Sequence, residues 1–219
     1  MEIKILLPNS KSKASNPGKI YDLTKVNDNI RVELIKAVIE QMHIVETCLE
    51  GVKLRDQEIS FNSLPAYRRY TGVVMRSIRH DELEKEAENS AFKSIIFLSP
   101  LLGFVEYNEE TPNYRIDFDS KITNFNLRKH WGEYINNEIE TLTEKILLIN
   151  LLTEESKKMI KVRNKNIINV SLNAGGKLAG HNSKKAKGLL CRELLTSRDP
   201  IKTIKNFHIN RDITATINN

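Results

Sequence analysis

The sequence predicts a single mixed α/β domain spanning residues 1–219, and three observations predict it. Segments of helical period alternate with short apolar runs of strand length, the pattern of helices packed on a sheet. No internal repeat or low-complexity tract interrupts that alternation. A chain of 219 residues with 40% apolar content is enough to bury a core.

The elements follow in chain order. Ile3 to Leu7 reads as a first core strand, and the polar stretch Asn9 to Gly18 lacks apolar periodicity. It is a loop at the end of a strand, where binding sites collect. Between Asn29 and Glu50, the residues Ile30, Leu34, Val38, Met42, Val45 and Leu49 recur at helical spacing, with Gly51 as the stop. Asp81 and Glu82 suit the positive end of a surface helix running to about Lys93. Ser94 to Leu98 reads as a buried strand or the last turn of that helix, and Pro100 and Gly103 punctuate a tight turn over Ser99 to Phe104. An extended Tyr114 to Phe118 precedes an amphipathic helix from about Arg128 to Glu144, which carries Trp131. Then come a strand over Ile146 to Leu151 and a short helix opened by Thr153, Glu154 and Glu155. Asn166 to Leu172 alternates as a strand, and Ala174 to Gly180 is a flexible connector. Ser183 suits the N-cap of a helix to about Leu195, with Ala186, Leu189, Leu190 and Leu194 facing the core and Lys184, Lys185, Lys187 and Arg192 on or beside its exposed face.

The charge is polarised along the chain. Fourteen of the thirty-four Lys and Arg lie between Ser156 and Asn219, against three acids, Glu193, Asp199 and Asp212. The C-terminal third is thus near +11 and the rest near −5, and such asymmetry points to a phosphate-rich partner or to a solvated face. No apolar run is long enough to span a bilayer or to serve as a signal peptide, so the expected location is the cytoplasm, with no membrane partner.

Several chemistries lack their motifs. Cys48 and Cys191 are far apart and form no CxxC pair, and the five histidines show neither HxH nor HExxH spacing. Neither a metal site nor a cofactor is expected. Gly175-Gly176-Lys177 lacks the upstream Gly and the following Ser or Thr of a phosphate loop, and there is no GxSxG elbow. What remains is a set of polar residues at turns and strand ends: Ser10, Lys11 and Lys13; Tyr70, Thr71 and Gly72; Ser99; and Tyr114 with Arg115. With the basic helix they suit phosphate or carboxylate binding if the strands bring them together. The alternative is that each is a local turn or cap residue, Arg115 being an ion-pair partner for an acid such as Glu109.

The order of these fragments resembles the YaaA family of bacterial peroxide-stress proteins. Leu6-Leu7-Pro8-Asn9-Ser10-Lys11-Ser12-Lys13 matches the family's opening strand and Ser-containing loop, and Tyr70-Thr71-Gly72-Val73-Val74 its tyrosine-threonine-glycine-valine stretch. Leu98 to Gly103 corresponds to its Leu-Ser-Gly-Leu-Tyr-Gly turn, Asn113-Tyr114-Arg115 to its Pro-Tyr-Arg, and Trp131-Gly132-Glu133 to its Trp-Gly-acid step. Ile149-Asn150-Leu151 with Glu155, and Lys184-Lys185-Ala186-Lys187-Gly188, complete a collinear series over essentially the whole chain. Pro100 replaces the first turn glycine, Leu102 replaces an aromatic, and Glu106-Tyr107 stands where the family has Arg-Pro, which marks a divergent member.

The resemblance implies one compact α/β domain of that type, a cytoplasmic role in surviving hydrogen peroxide by limiting free iron and its damage, and DNA binding through a helix-hairpin-helix-like element. Ser99 to Phe104 is the candidate hairpin, with Gly103 for close approach to phosphate, although Pro100 lacks an N–H. Two functions are in contention. The first is duplex DNA binding of low sequence specificity, with Lys184, Lys185, Lys187 and Arg192, joined by Lys157, Lys158 and Lys161, on phosphates. The second is an enzyme acting on a small anion such as a nucleotide in a basic cleft lined by Ser10, Lys11, Tyr70, Ser99 and Arg115.

Overall fold

A computed structural model of the chain describes residues 2–16, 18–22, 53–55, 58–120, 126–175, 178, 180–209 and 212–218. The helix expected over Asn29 to Glu50, and Cys48 within it, lie outside these residues. The first part of the chain forms β1 (Glu2–Pro8), β2 (Lys19–Asp22), β3 (Lys53–Arg55), β4 (Glu58–Pro65), α1 (Ala66–Arg69) and α2 (Val73–Ile78). A 3-10 turn (His80–Glu82) leads to α3 (Lys85–Ser94), β5 (Ile95–Ser99), β6 (Gly103–Glu106) and β7 (Glu110–Pro112). The rest forms α4 (Leu127–Thr143), β8 (Ile146–Asn150), α5 (Glu154–Lys157), β9 (Ile167–Asn173), α6 (Gly180–Leu194), α7 (Pro200–Asn206), β10 (His208–Ile209) and β11 (Ile213–Asn218).

The larger sheet has the order β10-β11-β9-β8-β1-β5-β6. Its centre is parallel, with β1 between β5 and β8 and with β9 beyond β8. β5 and β8 are buried at every residue, as strands covered on both faces must be, which is why they read as unbroken apolar runs. β9 is open on one face and alternates half-buried with buried positions. Antiparallel β6 and β11 flank the parallel core. A second, antiparallel sheet pairs β2 and β3 with β4, and β7 joins β4 near its C-terminal end. The α/β class is thus observed. Apolar residues from the larger sheet and from α1 to α4, α6 and α7 form one contiguous core, with Trp131 fully buried in it.

Two local expectations change. Asp81 and Glu82 sit in the 3-10 turn, because Arg79 in the left-handed region (φ 53°) ends α2 and the chain tightens before α3 begins at Lys85. Ser183 lies inside α6 and is not its N-cap, since Gly180, at φ 66°, turns the chain into the helix one turn earlier. The extended segment from Tyr114 carries a single β-bridge, at Tyr114, and joins neither sheet as a strand.

Candidate functional site: a cleft where the strand order reverses

From β1 the chain crosses to β5 on one side and then to β8 on the other, so the loops leaving β1 and β8 diverge. Ligands of open α/β sheets bind in the crevice that such a reversal leaves at the C-terminal strand ends. Here its walls are the Asn9–Ser12 loop after β1 and α5 after β8. The turn after β8 is shaped by Asn150, whose side-chain oxygen accepts from Leu152 N (3.0 Å) while its amide donates to Asn169 (2.8 Å). Thr153 then caps α5 by accepting from Ser156 N.

The crevice holds a pocket of about 280 Å³, walled by Pro8 to Ser12, by Gly72 to Arg76 at the start of α2, by Asp117 to Asp119, and by Arg128, Glu155 and Lys184. Gly72 allows this close packing, since a Cβ there would strike Ser10 Oγ and push that hydroxyl aside. Ser10 Oγ donates to Ser12 O (2.7 Å), which also accepts from Thr71 N (3.0 Å), so the loop is stitched to the turn between α1 and α2. Two ion pairs cross the pocket. Lys11 donates to Asp117 at 2.8 Å, and Arg128 grips Asp119 in a fork at 2.9 and 3.1 Å. The hydrogen bond with Asp117 holds the Lys11 ammonium above its ordinary range, and the same bond draws the Asp117 carboxyl down; Arg128 does likewise to Asp119.

Two wider grooves adjoin the pocket. One, of about 990 Å³ at the ends of β8 and β9, is lined by Lys157, Lys158, Lys184 and Lys187 with Glu154 and Glu155. The other, of about 1110 Å³ beside α4, carries Arg128, Lys129, Lys158, Lys161 and Arg163. Glu155 lines all three, Lys184 joins the first two, and Arg128 joins the pocket to the groove beside α4. Glu155 on α5 therefore stands where three adjoining depressions meet.

Behind the loop lies a buried hydroxyl chain. Ser99 Oγ meets Tyr114 OH at 2.8 Å, and Tyr114 OH meets Tyr70 OH at 2.9 Å; burial pushes both phenols up. Lys13 Nζ donates to Ser10 O (2.7 Å) and lies 3.8 Å from the centre of the Tyr114 ring. Burial, with the Arg69 guanidinium nearby, brings the Lys13 amine down to about 7.

The residues singled out in the sequence therefore divide. Ser10, Lys11, Gly72 and Lys184 line the pocket. Lys13, Tyr70, Ser99 and Tyr114 form the layer behind it, and Thr71 lies in the turn that carries Gly72. Lys185 and Arg115 are exposed but line none of these three depressions. Gly103, at φ 68°, packs against Trp131, and a Cβ there would come within 2.7 Å of the indole. The Ser99–Phe104 hairpin joins two antiparallel strands, and the amides of Leu101 and Leu102 are taken by Ser99 Oγ, so it is not flanked by helices and these amides are not offered to a ligand. Arg192 also turns inward, donating to Ile78 O (2.7 Å) and Glu82 O (2.9 Å). Asp117, Phe118, Asp119, Arg128 and Glu155 were missed as site residues, because only the strand order shows that their segments meet.

Lys187 is buried, donates to Leu152 O (2.6 Å) and is brought down to about 8 by burial, with Lys157 adding to the effect. A depressed folded-state value means that folding sheds a proton between about pH 8 and the unfolded value of 10.5, so stability rises with pH across that window. Chemical denaturation of wild type and Lys187→Met should show wild type gaining about 2–3 kcal/mol on the variant from pH 7 to pH 10.5. A constant difference would place the Lys187 amine in water.

Among the described residues no helix is long and apolar enough to cross a membrane, and no three His, Cys, Asp or Glu side chains are placed to hold a metal ion. The chain is 26% identical over 208 residues to a UPF0246 protein of Clostridioides difficile strain 630, covering 89% of this chain and 83% of that one. UPF0246 proteins of Rickettsia rickettsii strain Iowa and Marinomonas sp. strain MWYL1 are 27% and 29% identical over 63% and 68% of this chain, which spans 60% and 61% of their lengths. The family model for the peroxide stress protein YaaA matches residues 3–211. With its motifs collinear and its length matched almost throughout, the chain belongs to the YaaA peroxide stress protein family.

Proposed function

We propose that this protein works as one cytoplasmic domain in the response to hydrogen peroxide, binding duplex DNA with low sequence specificity and so limiting the damage that free iron does there. The observation that carries this reading is the set of three adjoining depressions around α5, lined by ten Lys and Arg against six Asp and Glu. Its exposed cations, among them Lys158, Lys161, Arg163 and Lys184, suit phosphates spaced along a backbone. A second feature supports it: α1 and α2 are two short helices joined by Tyr70-Thr71-Gly72, with Arg68, Arg76 and Arg79 lining the groove beside them. This unit, rather than Ser99 to Phe104, has the helix–turn–helix connectivity.

Fluorescence anisotropy with a labelled duplex tests the proposal. Affinity should fall steeply between 50 and 200 mM salt, and Lys158→Ala or Lys184→Ala should each weaken binding to every sequence alike and reduce the salt slope by about 1. Affinity indifferent to salt, or variants that bind as wild type does, would remove the DNA reading.

One observation favours the enzyme reading. Near neutrality the Lys13 amine is partly uncharged, the state in which it acts as a base or nucleophile, and it sits behind a pocket of ligand size. A nucleoside monophosphate that raises the melting temperature where duplex DNA does not would select this alternative.

A further inference from the structure

We infer that the pocket between the Ser10 loop and α5 receives a single unstacked base from the DNA that lies in the adjoining grooves; the inference rests on the DNA reading above. Its volume of about 280 Å³ is just below the usual range of ligand pockets, room for one base and far too small for a paired step. It opens between two grooves rather than standing alone. A strand following these depressions therefore passes its mouth with cations on both sides, Lys184 toward one and Lys129 toward the other. A free mononucleotide would leave most of these cations without a phosphate.

The walls suit a base. Pro8, Val73 and Phe118 supply apolar surface, and the Arg128 guanidinium stands 6.0 Å from the centre of the Phe118 ring, so a base stacked on Phe118 meets both a π face and a cation. The Asn9 amide, in the pocket wall, offers an edge for recognition. The mouth is spanned by the Lys11–Asp117 and Arg128–Asp119 pairs, whose side chains are 81% and 43%, and 35% and 71%, exposed. The single-bonded Lys11–Asp117 pair is this exposed and weak, so a phosphate flanking an extruded base can take Lys11 from its carboxylate as the base enters, while the Arg128–Asp119 fork holds the guanidinium beside Phe118.

The test uses the full chain, a paired duplex, and the same duplex with one extra, unpaired 2-aminopurine. An unpaired base has already lost its partner, so entry costs it little, and the bulged duplex should bind about tenfold more tightly, with a change in 2-aminopurine emission. Phe118→Leu should lose the preference and keep its binding to paired duplex, while Phe118→Tyr should retain both. Equal affinity of wild type for the two duplexes, a preference that survives Phe118→Leu, or equally tight binding of the free 2-aminopurine nucleotide would each overturn the inference and leave the DNA reading standing. Binding of neither duplex would overturn both, and the wild-type comparison decides the matter even if Phe118→Leu does not fold.

Discussion

Gly188→Ala is expected to destabilise the protein by about 3 kcal/mol, lowering the melting temperature by roughly 6–12 °C for a chain of this size. In isolation the change favours the helix, since Ala is the better helix former by about 1 kcal/mol. The sign reverses because α6 crosses α2 backbone to backbone at this point. A Cβ on Gly188 would overlap Val74 O and come within 2.6 Å of Ser77 Cβ, and a carbonyl within a helix cannot give way as a side-chain tip can. The overlap is not relieved by sliding α6, because Lys187 ties it to Leu152 O and Arg192 ties it to Ile78 O and Glu82 O. The same crossing sets two walls of the pocket, Gly72 to Arg76 at the start of α2 and Lys184 on α6, so the proposed binding of DNA should weaken along with stability. Gly132→Ala is the control. It lies within α4 and a Cβ there meets nothing within 4 Å, so it should be neutral or stabilise by about 0.5–1 kcal/mol. Urea denaturation of both variants decides; equal effects would mean that the α2–α6 crossing is not tight.

The contrast between Gly188 and Gly132 also shows where sequence reading stops. Both stand in helices of good apolar period, and nothing local distinguishes the one that faces another backbone from the one that faces open space. The helices and parallel strands were legible because burial on one or both faces leaves a period of 3.6 or an unbroken apolar run, as in Leu127–Thr143 and Ile146–Asn150. Short pieces such as β7 and β10 carry no such period and were not anticipated. The site was legible in part for a similar reason. Ser10, Lys11 and Gly72 sit at ends of regular elements, which a pattern can locate. Asp117, Asp119 and Arg128 become pocket residues only through the placement of β1 between β5 and β8, a non-local fact. Charge misled about direction: Lys187 and Arg192 read as part of an exposed basic face, yet their long stems carry the charged heads inward to backbone carbonyls.

Arg69→Met is expected to cost about 4 kcal/mol, the largest effect of any single side chain described here. Arg69 is 1% exposed and its guanidinium is an organising centre for three chain segments. Nε donates to Thr111 O in β7 (3.0 Å), Nη1 donates to Ala14 O beyond the β1 loop, and Nη2 donates to Asn62 O in β4 (3.3 Å). Met fills much of the space and removes a buried charge, but it leaves these carbonyls without their donor; the buried Thr111 acceptor so stranded costs about 1–3 kcal/mol, and the part-buried Ala14 and Asn62 acceptors, nearer to water, cost less. Arg69→Lys should recover only part of the loss, because one ammonium cannot reach three carbonyls that a planar fork spans. The effect should extend to the pocket. Ala14 N donates to Arg69 O, so both strands of this link hold the loop that runs back through Lys13 to Ser10. Without the guanidinium, one of the causes that depress Lys13 is also gone, and its amine should titrate above its present value of about 7, by an amount limited by burial, which is the larger cause. Denaturation curves for the Met and Lys variants, with the amine titration followed by NMR on labelled lysine, separate these consequences. A loss below about 1 kcal/mol for Arg69→Met would show that water or a neighbouring donor serves the three carbonyls, and that the loop is held by the Ser12–Thr71 contact rather than by this arginine.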